Sequence, residues 1–228
     1  MSVEKFAVIG MGHFGRAIAG RLSKRGAEVM AIDNNQEVID RISDDVAYAV
    51  CLDATDKKSL LAQDIAEFDA VVIAIGQNFE QRLLCATLLS DLGVKRIICR
   101  SLGKSQKIIL ERLGMKEILS PEDEIAGIVA ERLLNPNLVS YLQLPDDHRI
   151  AEVKAPRRVV GRTLGDIDLR DRYAISLITI KRETLHGADH KQEHIIGVPD
   201  SKTELQESDS LMLFGRTQDI ERFIEINQ

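Results

Sequence analysis

The chain has 228 residues, 44% of them hydrophobic and 29% charged, with a formal net charge of −6. That length supports one large core or two small ones, and the acidic balance with only 4% aromatic residues argues against a nucleic-acid partner or a base-stacking platform. No apolar run approaches bilayer-spanning length, the first strand signal opens too near Met1 to leave room for a signal peptide, and the three cysteines (Cys51, Cys85, Cys99), which form no close-spaced pair, are expected as buried free thiols.

The pattern opens with an apolar strand, Lys5–Ile9, running straight into glycines. Phe6–Arg16 reads F-A-V-I-G-M-G-H-F-G-R, with Gly10, Gly12 and Gly15 spaced G-x-G-x-x-G before a helix over Phe14–Lys24. Gly10 suits the tight strand-to-helix turn. Gly12 lets backbone approach a pyrophosphate, and Gly15 lets the helix pack closely, so that its N-terminal amides face phosphates. A second strand, Glu28–Ile32, leads to Asp33, placed to accept hydrogen bonds from ribose hydroxyls, with Asn34 beside it. The strand, helix and distal acid together point to an adenine nucleotide or dinucleotide.

Further strands are predicted at Ala47–Cys51, Ala70–Ile75, Arg96–Cys99 and Glu117–Leu119, with helices near Gln36–Ile42, Lys57–Asp64, Phe79–Leu92, Lys104–Leu113 and Glu122–Leu134. Runs such as A-V-V-I-A-I are apolar on both faces, as a parallel strand covered by two helix layers requires. The expected fold class is α/β: a Rossmann-like, doubly wound parallel sheet of six strands over residues 1–136, followed by a small α+β domain. Residues 137–148, preceded by Pro136 and containing Pro145, have weak periodicity and read as a linker or hinge. In residues 149–228 strands are expected at Ile150–Lys154, Ile175–Lys181, His194–Val198 and Ser210–Phe214, with helices at Leu164–Arg170 and Gln218–Ile226. His186, His190 and His194 fall four apart, a metal spacing on a helix, but Gly187 and the flanking strands favour a polar hairpin loop.

Several segments occur in a familiar order: Gly10–Gly15 with Asp33, C-L-D-A-T-D at Cys51–Asp56, A-I-G at Ala74–Gly76, S-P-E at Ser120–Glu122, G-R-T-L-G-D-I-D-L at Gly161–Leu169 and E-S-D-S-L-M-L-F-G at Glu207–Gly215. Together they resemble the RCK family, the regulators of potassium conductance, over nearly the whole chain. Two such domains are similar to the separate cytosolic gating subunits of bacterial Ktr and Trk potassium transporters, the Ktr type being the nearer likeness. The resemblance implies homodimers assembling into a ring, an octamer by analogy, docked on a Ktr/Trk-type membrane potassium channel subunit. Such a protein is cytoplasmic and peripheral to the membrane through its partner.

The resemblance also distributes roles. The loop Gly10, Met11, Gly12, His13, Phe14 and Gly15 cradles the nucleotide, and Asp53, Ala54 and Thr55 lie beside the adenine edge, where Asp53 or Thr55 can also cap the following helix. Ala74, Ile75 and Gly76 end a strand at the ligand edge. Arg100 is either phosphate-facing or an ordinary edge arginine. His13 stands where Ktr-type subunits commonly carry an arginine that reaches a terminal phosphate, which leaves ATP/ADP and NAD(H) both open as ligands. Glu122 matches a glutamate that helps hold Mg²⁺ or Ca²⁺ at the dimer interface, or else it is an acid favouring a helix start. Ile167 and Arg170 lie near positions that present an apolar residue and an arginine to cyclic di-AMP.

The competing readings are a NAD(P)-dependent Rossmann oxidoreductase and a free-standing nucleotide sensor. The Tyr-x-x-x-Lys pair of short-chain dehydrogenases is absent, since Leu52, Pro145 and Leu177 follow Tyr48, Tyr141 and Tyr173 at that spacing. A regulatory, non-catalytic role is therefore expected.

Overall fold

The computed structural model describes residues 3–186 and 190–228. The chain divides into two compact units, the first ending at Glu124 and the second beginning at Ile125.

The first unit is a six-stranded parallel sheet of β1 (Lys5–Ile9), β2 (Glu28–Asp33), β3 (Tyr48–Cys51), β4 (Ala70–Ile73), β5 (Ile97–Arg100) and β6 (Glu117–Leu119), in the order β3-β2-β1-β4-β5-β6. Five helices make the crossovers: α1 (His13–Lys24), α2 (Gln36–Asp40), α3 (Lys57–Leu61), α4 (Phe79–Asp91) and α5 (Lys104–Arg112). Alternate residues of the central strands point to opposite faces. Ala7, Ile9, Val71 and Ile73 pack with Leu60, Leu89 and Leu110 on one face, while Val8, Val72 and Ala74 pack with Met11 and Ala19 on the other. The sheet order reverses at β1 and β4. Their carboxyl ends therefore open onto the crevice where ligands of doubly wound folds bind.

Helix α6 (Pro121–Leu134) carries the division between the units, which falls inside it rather than after it. The second unit is a five-stranded antiparallel sheet of β7 (Leu138–Gln143), β8 (His148–Lys154), β9 (Ser176–His186), β10 (His190–Ile195) and β11 (Asp209–Arg216), in the order β10-β9-β11-β8-β7. Three helices accompany it: α7 (Leu164–Ile167), α8 (Leu169–Tyr173) and α9 (Thr217–Asn227). The late part of α6 is tied to this unit by Arg149, a buried guanidinium in ion pairs with Glu131 at 2.9 Å and Glu221 at 2.8 Å.

Two sequence expectations need correction here. The stretch read as a linker, residues 137–148, contains strand β7. Its prolines bracket the strand instead of breaking it, Leu138 is buried, and Asp146 and Asp147 form the turn into β8 with φ of +56° and +58°. The segment holding His186, His190 and His194 is more strand than loop. β9 runs on to His186, β10 starts at His190, and the two residues pair directly, while residues 187–189 of the expected loop lie outside the described residues.

Candidate functional site

The glycine loop leaves β1 at Gly10, whose φ of +96° only glycine adopts without strain. A Cβ on Gly15 would lie 1.9 Å from the Gly10 carbonyl oxygen, so α1 can pack against the turn only because Gly15 has no side chain. Gly12 differs, since a Cβ there would meet nothing within 4 Å. Its backbone caps the start of α1 with no side-chain bond, and the first helical amides point outward unpartnered by the helix, as an anion site requires. Asp33 closes the loop from β2. Its carboxylate accepts from the Met11 amide at 2.7 Å and the Asn35 amide at 3.0 Å, and Met11 itself is buried beneath.

Two cavities adjoin at Gly76. The first, of about 160 Å³, is lined by Gly10, Gly12, Asp33 and Asn34, by Asp53, Ala54 and Thr55 after β3, and by Ala74, Ile75 and Gly76 after β4. The second, of about 590 Å³, is lined by His13, Phe14, Gly76, Gln77, Arg100, Leu102 and Glu122. Met11 and Gly15 line neither and act from beneath the loop. Asp53 accepts from both the amide and the hydroxyl of Thr55, at 2.8 and 2.7 Å, closing a turn. The cap of α3 expected from Asp53 or Thr55 is supplied instead by Asp56, which accepts from Lys58 and Ser59.

Arg100, at the end of β5, is ion-paired with Glu122 in the first turn of α6 and stacks its guanidinium 5.1 Å from the Phe14 ring centroid. Burial pushes the Glu122 carboxyl up, but the Arg100 hydrogen bond and charge, together with the charge of Arg82, outweigh it and hold it below the ordinary value of 4.5. Within this chain the Glu122 carboxylate is engaged by Arg100, whereas the expected divalent-cation site draws on two subunits and a phosphate. Among the described residues no group of three or more His, Cys, Asp or Glu side chains could hold a metal.

Sequence reasoning missed Gln81, which lines the first cavity, and Arg82, whose side chain is 0% exposed. Arg82 donates from Nε to the Ile75 carbonyl at 2.8 Å, from Nη2 to the Gly76 carbonyl, and from Nη1 to Gln106 Oε1 at 2.7 Å. A signal was available. In α4 the buried positions are Arg82, Cys85, Ala86 and Leu89, so the arginine sits on the core stripe at helical spacing. Of the thiols, Cys85 and Cys99 are buried as expected, and burial pushes them up to about 12 and about 11. Cys51 corrects the expectation, because it is exposed on the edge strand β3.

In the second unit Arg170 lines a cavity of about 490 Å³ together with Leu164, Asp168, Pro199 and Ser201. Ile167, expected to share that surface, does not line it. Its side chain is 1% exposed and packs in the core with Val159, Leu211 and Phe223, because α7 turns that position inward.

Comparison with known proteins adds to this geometry. Residues 6–121 match the model of the TrkA-N domain and residues 148–228 that of the TrkA-C domain. Over 220 residues the chain is 32% identical to the Ktr system potassium uptake protein C of Bacillus subtilis, covering 96% of each chain. It is 31% identical to the Ktr system potassium uptake protein A of the same organism, covering 96% of this chain and 95% of that one. Among solved structures, the GsuK channel bound to NAD aligns with a TM-score of 0.63 at 16% identity, over 99% of this chain and 39% of the channel chain, which is a likeness of fold.

Proposed function

This chain belongs to the RCK family of TrkA-N/TrkA-C proteins, and from that premise we propose that it is the nucleotide-binding regulatory subunit of a bacterial potassium uptake system. The observation that carries the reading is the cavity between the glycine loop and Asp33, on a chain whose near-full-length relatives are Ktr potassium uptake proteins. Asp33 holds the ribose, the α1 amides take the first phosphates, and a terminal group reaches His13 and Arg100 in the second cavity. The ligand is ATP/ADP or NAD(H). The NAD-bound GsuK structure shares the fold and supports the second option.

Binding is the output. An anionic group at Arg100 competes with Glu122, so nucleotide binding loosens the start of α6 and favours one arrangement of the subunits over another. The shift is limited to the difference in affinity between the two arrangements. Ile125, Val129 and Leu133 are all exposed along one stripe of α6, which suits packing against a second copy and supports homodimers within a ring. The cavity at Arg170 is the candidate place for cyclic di-AMP.

No described helix is long and apolar enough to cross a membrane, which fits a cytoplasmic subunit held at the membrane by its channel partner. The role is regulatory rather than catalytic, as the absent Tyr-x-x-x-Lys pair suggests. Titration of the purified protein with ATP, ADP, NAD⁺, NADH and cyclic di-AMP, with solution mass recorded in each state, tests the reading. We expect micromolar or tighter binding of at least one adenine nucleotide by an oligomer, and steady hydride transfer to any substrate would contradict it.

A further inference from the structure

Arg82 is a fully buried cation that enters none of the ion pairs among the described residues. Its hydrogen-bond partners are two backbone carbonyls and the Gln106 side-chain oxygen, and its guanidinium lies 5.7 Å from the Phe79 ring centroid; none of these carries a full compensating charge. A buried charge without a counter-ion is costly, and an arginine cannot escape the cost by losing its proton. The position adds to the cost. Arg82 lies in the first turns of α4, at the positive end of that helix, where a cation is disfavoured. The other ionisable groups that bear on it are the buried Cys99 thiol, Arg100, also positive, and Glu122, which Arg100 already holds. Among the charged side chains that bear on Arg82, the guanidiniums of Arg82 and Arg100 outnumber the single carboxylate of Glu122.

The topology separates the charges. Asp33 and Asp53 follow β2 and β3, on one side of β1. Arg82 and Arg100 stand on the β4–β5 side. Of the two carbonyls that Arg82 grips, Gly76 belongs to a residue that lines both cavities and Ile75 to one that lines the first. Gln106 Oε1 also accepts from the Leu102 amide at 2.9 Å, so the same guanidinium braces the loop after β4 against the loop after β5.

We propose that Arg82 is a positioning residue for the anionic tail of the bound nucleotide, supplying a buried counter-charge behind the Ile75–Gly76 wall without touching the ligand. The ligand's phosphates complete the charge balance that the protein alone leaves open. Arg82 also turns the wall carbonyls inward, away from those phosphates. The inference rests on the nucleotide-site reading given above, and it concerns the tail only; adenosine, which has no charge, is indifferent to Arg82.

The decisive variant is Gln106→Glu, which keeps an acceptor for Arg82 and Leu102 but places a carboxylate against the guanidinium. Arg82→Gln removes the charge itself. Wild type and both variants are titrated calorimetrically with adenosine, ADP and ATP, with folding checked by circular dichroism and thermal melting. We expect Gln106→Glu to melt no lower than wild type, to bind adenosine within about twofold of wild type, and to bind ADP and ATP about tenfold more weakly, the size of one unit charge acting over several ångströms in a polar medium. Arg82→Gln, where it folds, shows the same selective loss. Equal loss of adenosine and ADP in Gln106→Glu, or no loss of either, overturns the proposal in favour of a purely structural brace. Failure of the wild type to bind any of the three ligands is a different result, which overturns the nucleotide-site reading and this inference with it.

Discussion

The amide of Met11 donates to the carboxylate of Asp33 across 2.7 Å, so the acid at the end of β2 is also the clasp on the glycine loop. Asp33→Ala removes a charged acceptor from the loop and from the ribose proposed to bind beside it. Nucleotide affinity is expected to fall about 10- to 100-fold, the usual range for losing a hydrogen bond to a charged group, as measured by calorimetric titration. Unchanged affinity would remove Asp33 from the site.

Gly12 and Gly15 separate binding from folding within one loop. Gly15→Ala forces a methyl group against the Gly10 carbonyl oxygen, only 1.9 Å from where it would sit. The melting temperature should drop by roughly 5–10 °C, in line with overpacking against backbone. Gly12→Ala meets open space and has an ordinary φ of −65°, so melting should change little while nucleotide binding is lost. If Gly12→Ala binds normally, the open face above that glycine is not the phosphate path.

How much of this was legible in the sequence follows from which residues carry their own signal. Both-face apolar runs such as Ala70–Ile73 and the spaced glycines need no tertiary knowledge, and strands β1 and β6 lie at the bounds expected from pattern alone. Strand β7 was hidden because prolines usually break strands, and only the fold shows that these two flank it. Ile167 was misplaced because a short helix gives too few turns to tell its inner from its outer side. Arg82 was overlooked because a charged residue on a core stripe reads as surface until its carbonyl partners are known. The second cavity joins His13, Arg100 and Glu122 from three separate elements, a convergence that spacing along the chain does not encode.

The Arg100–Glu122 pair gives a pH-dependent competition. The Glu122 carboxyl titrates below its ordinary 4.5 when folded, so the pairing is fully present above that value and is lost as the pH falls through the lowered pKa. At neutral pH Glu122→Gln releases Arg100 and should tighten ADP about threefold, a modest effect suited to a half-exposed carboxylate. As the pH falls through that lowered pKa the difference between variant and wild type should shrink, because protonated Glu122 no longer competes. A difference that persists unchanged at low pH would show that Glu122 acts by something other than its charge. Parallel titrations at pH 7.5 and in the acid range read this directly.

His13 is exposed at the first position of α1 and shares the second cavity with Arg100. His13→Arg replaces the imidazole with a permanent, forked cation. The ratio of ATP to ADP affinity is expected to rise about fivefold, as one added charge-assisted contact to the extra phosphate allows. A constant ratio in competition titrations would place the terminal phosphate elsewhere.

We propose that nucleotide bound at the glycine loop controls potassium flow through a membrane partner. The most direct measurement is potassium flux into proteoliposomes that hold a Ktr-type membrane subunit, with this protein added and ATP, ADP, NADH or no nucleotide supplied. The account predicts flux that changes with the nucleotide when the wild type is present and loses that dependence with Gly12→Ala. Flux indifferent to every nucleotide, although the protein binds both the nucleotide and the membrane subunit, would contradict it.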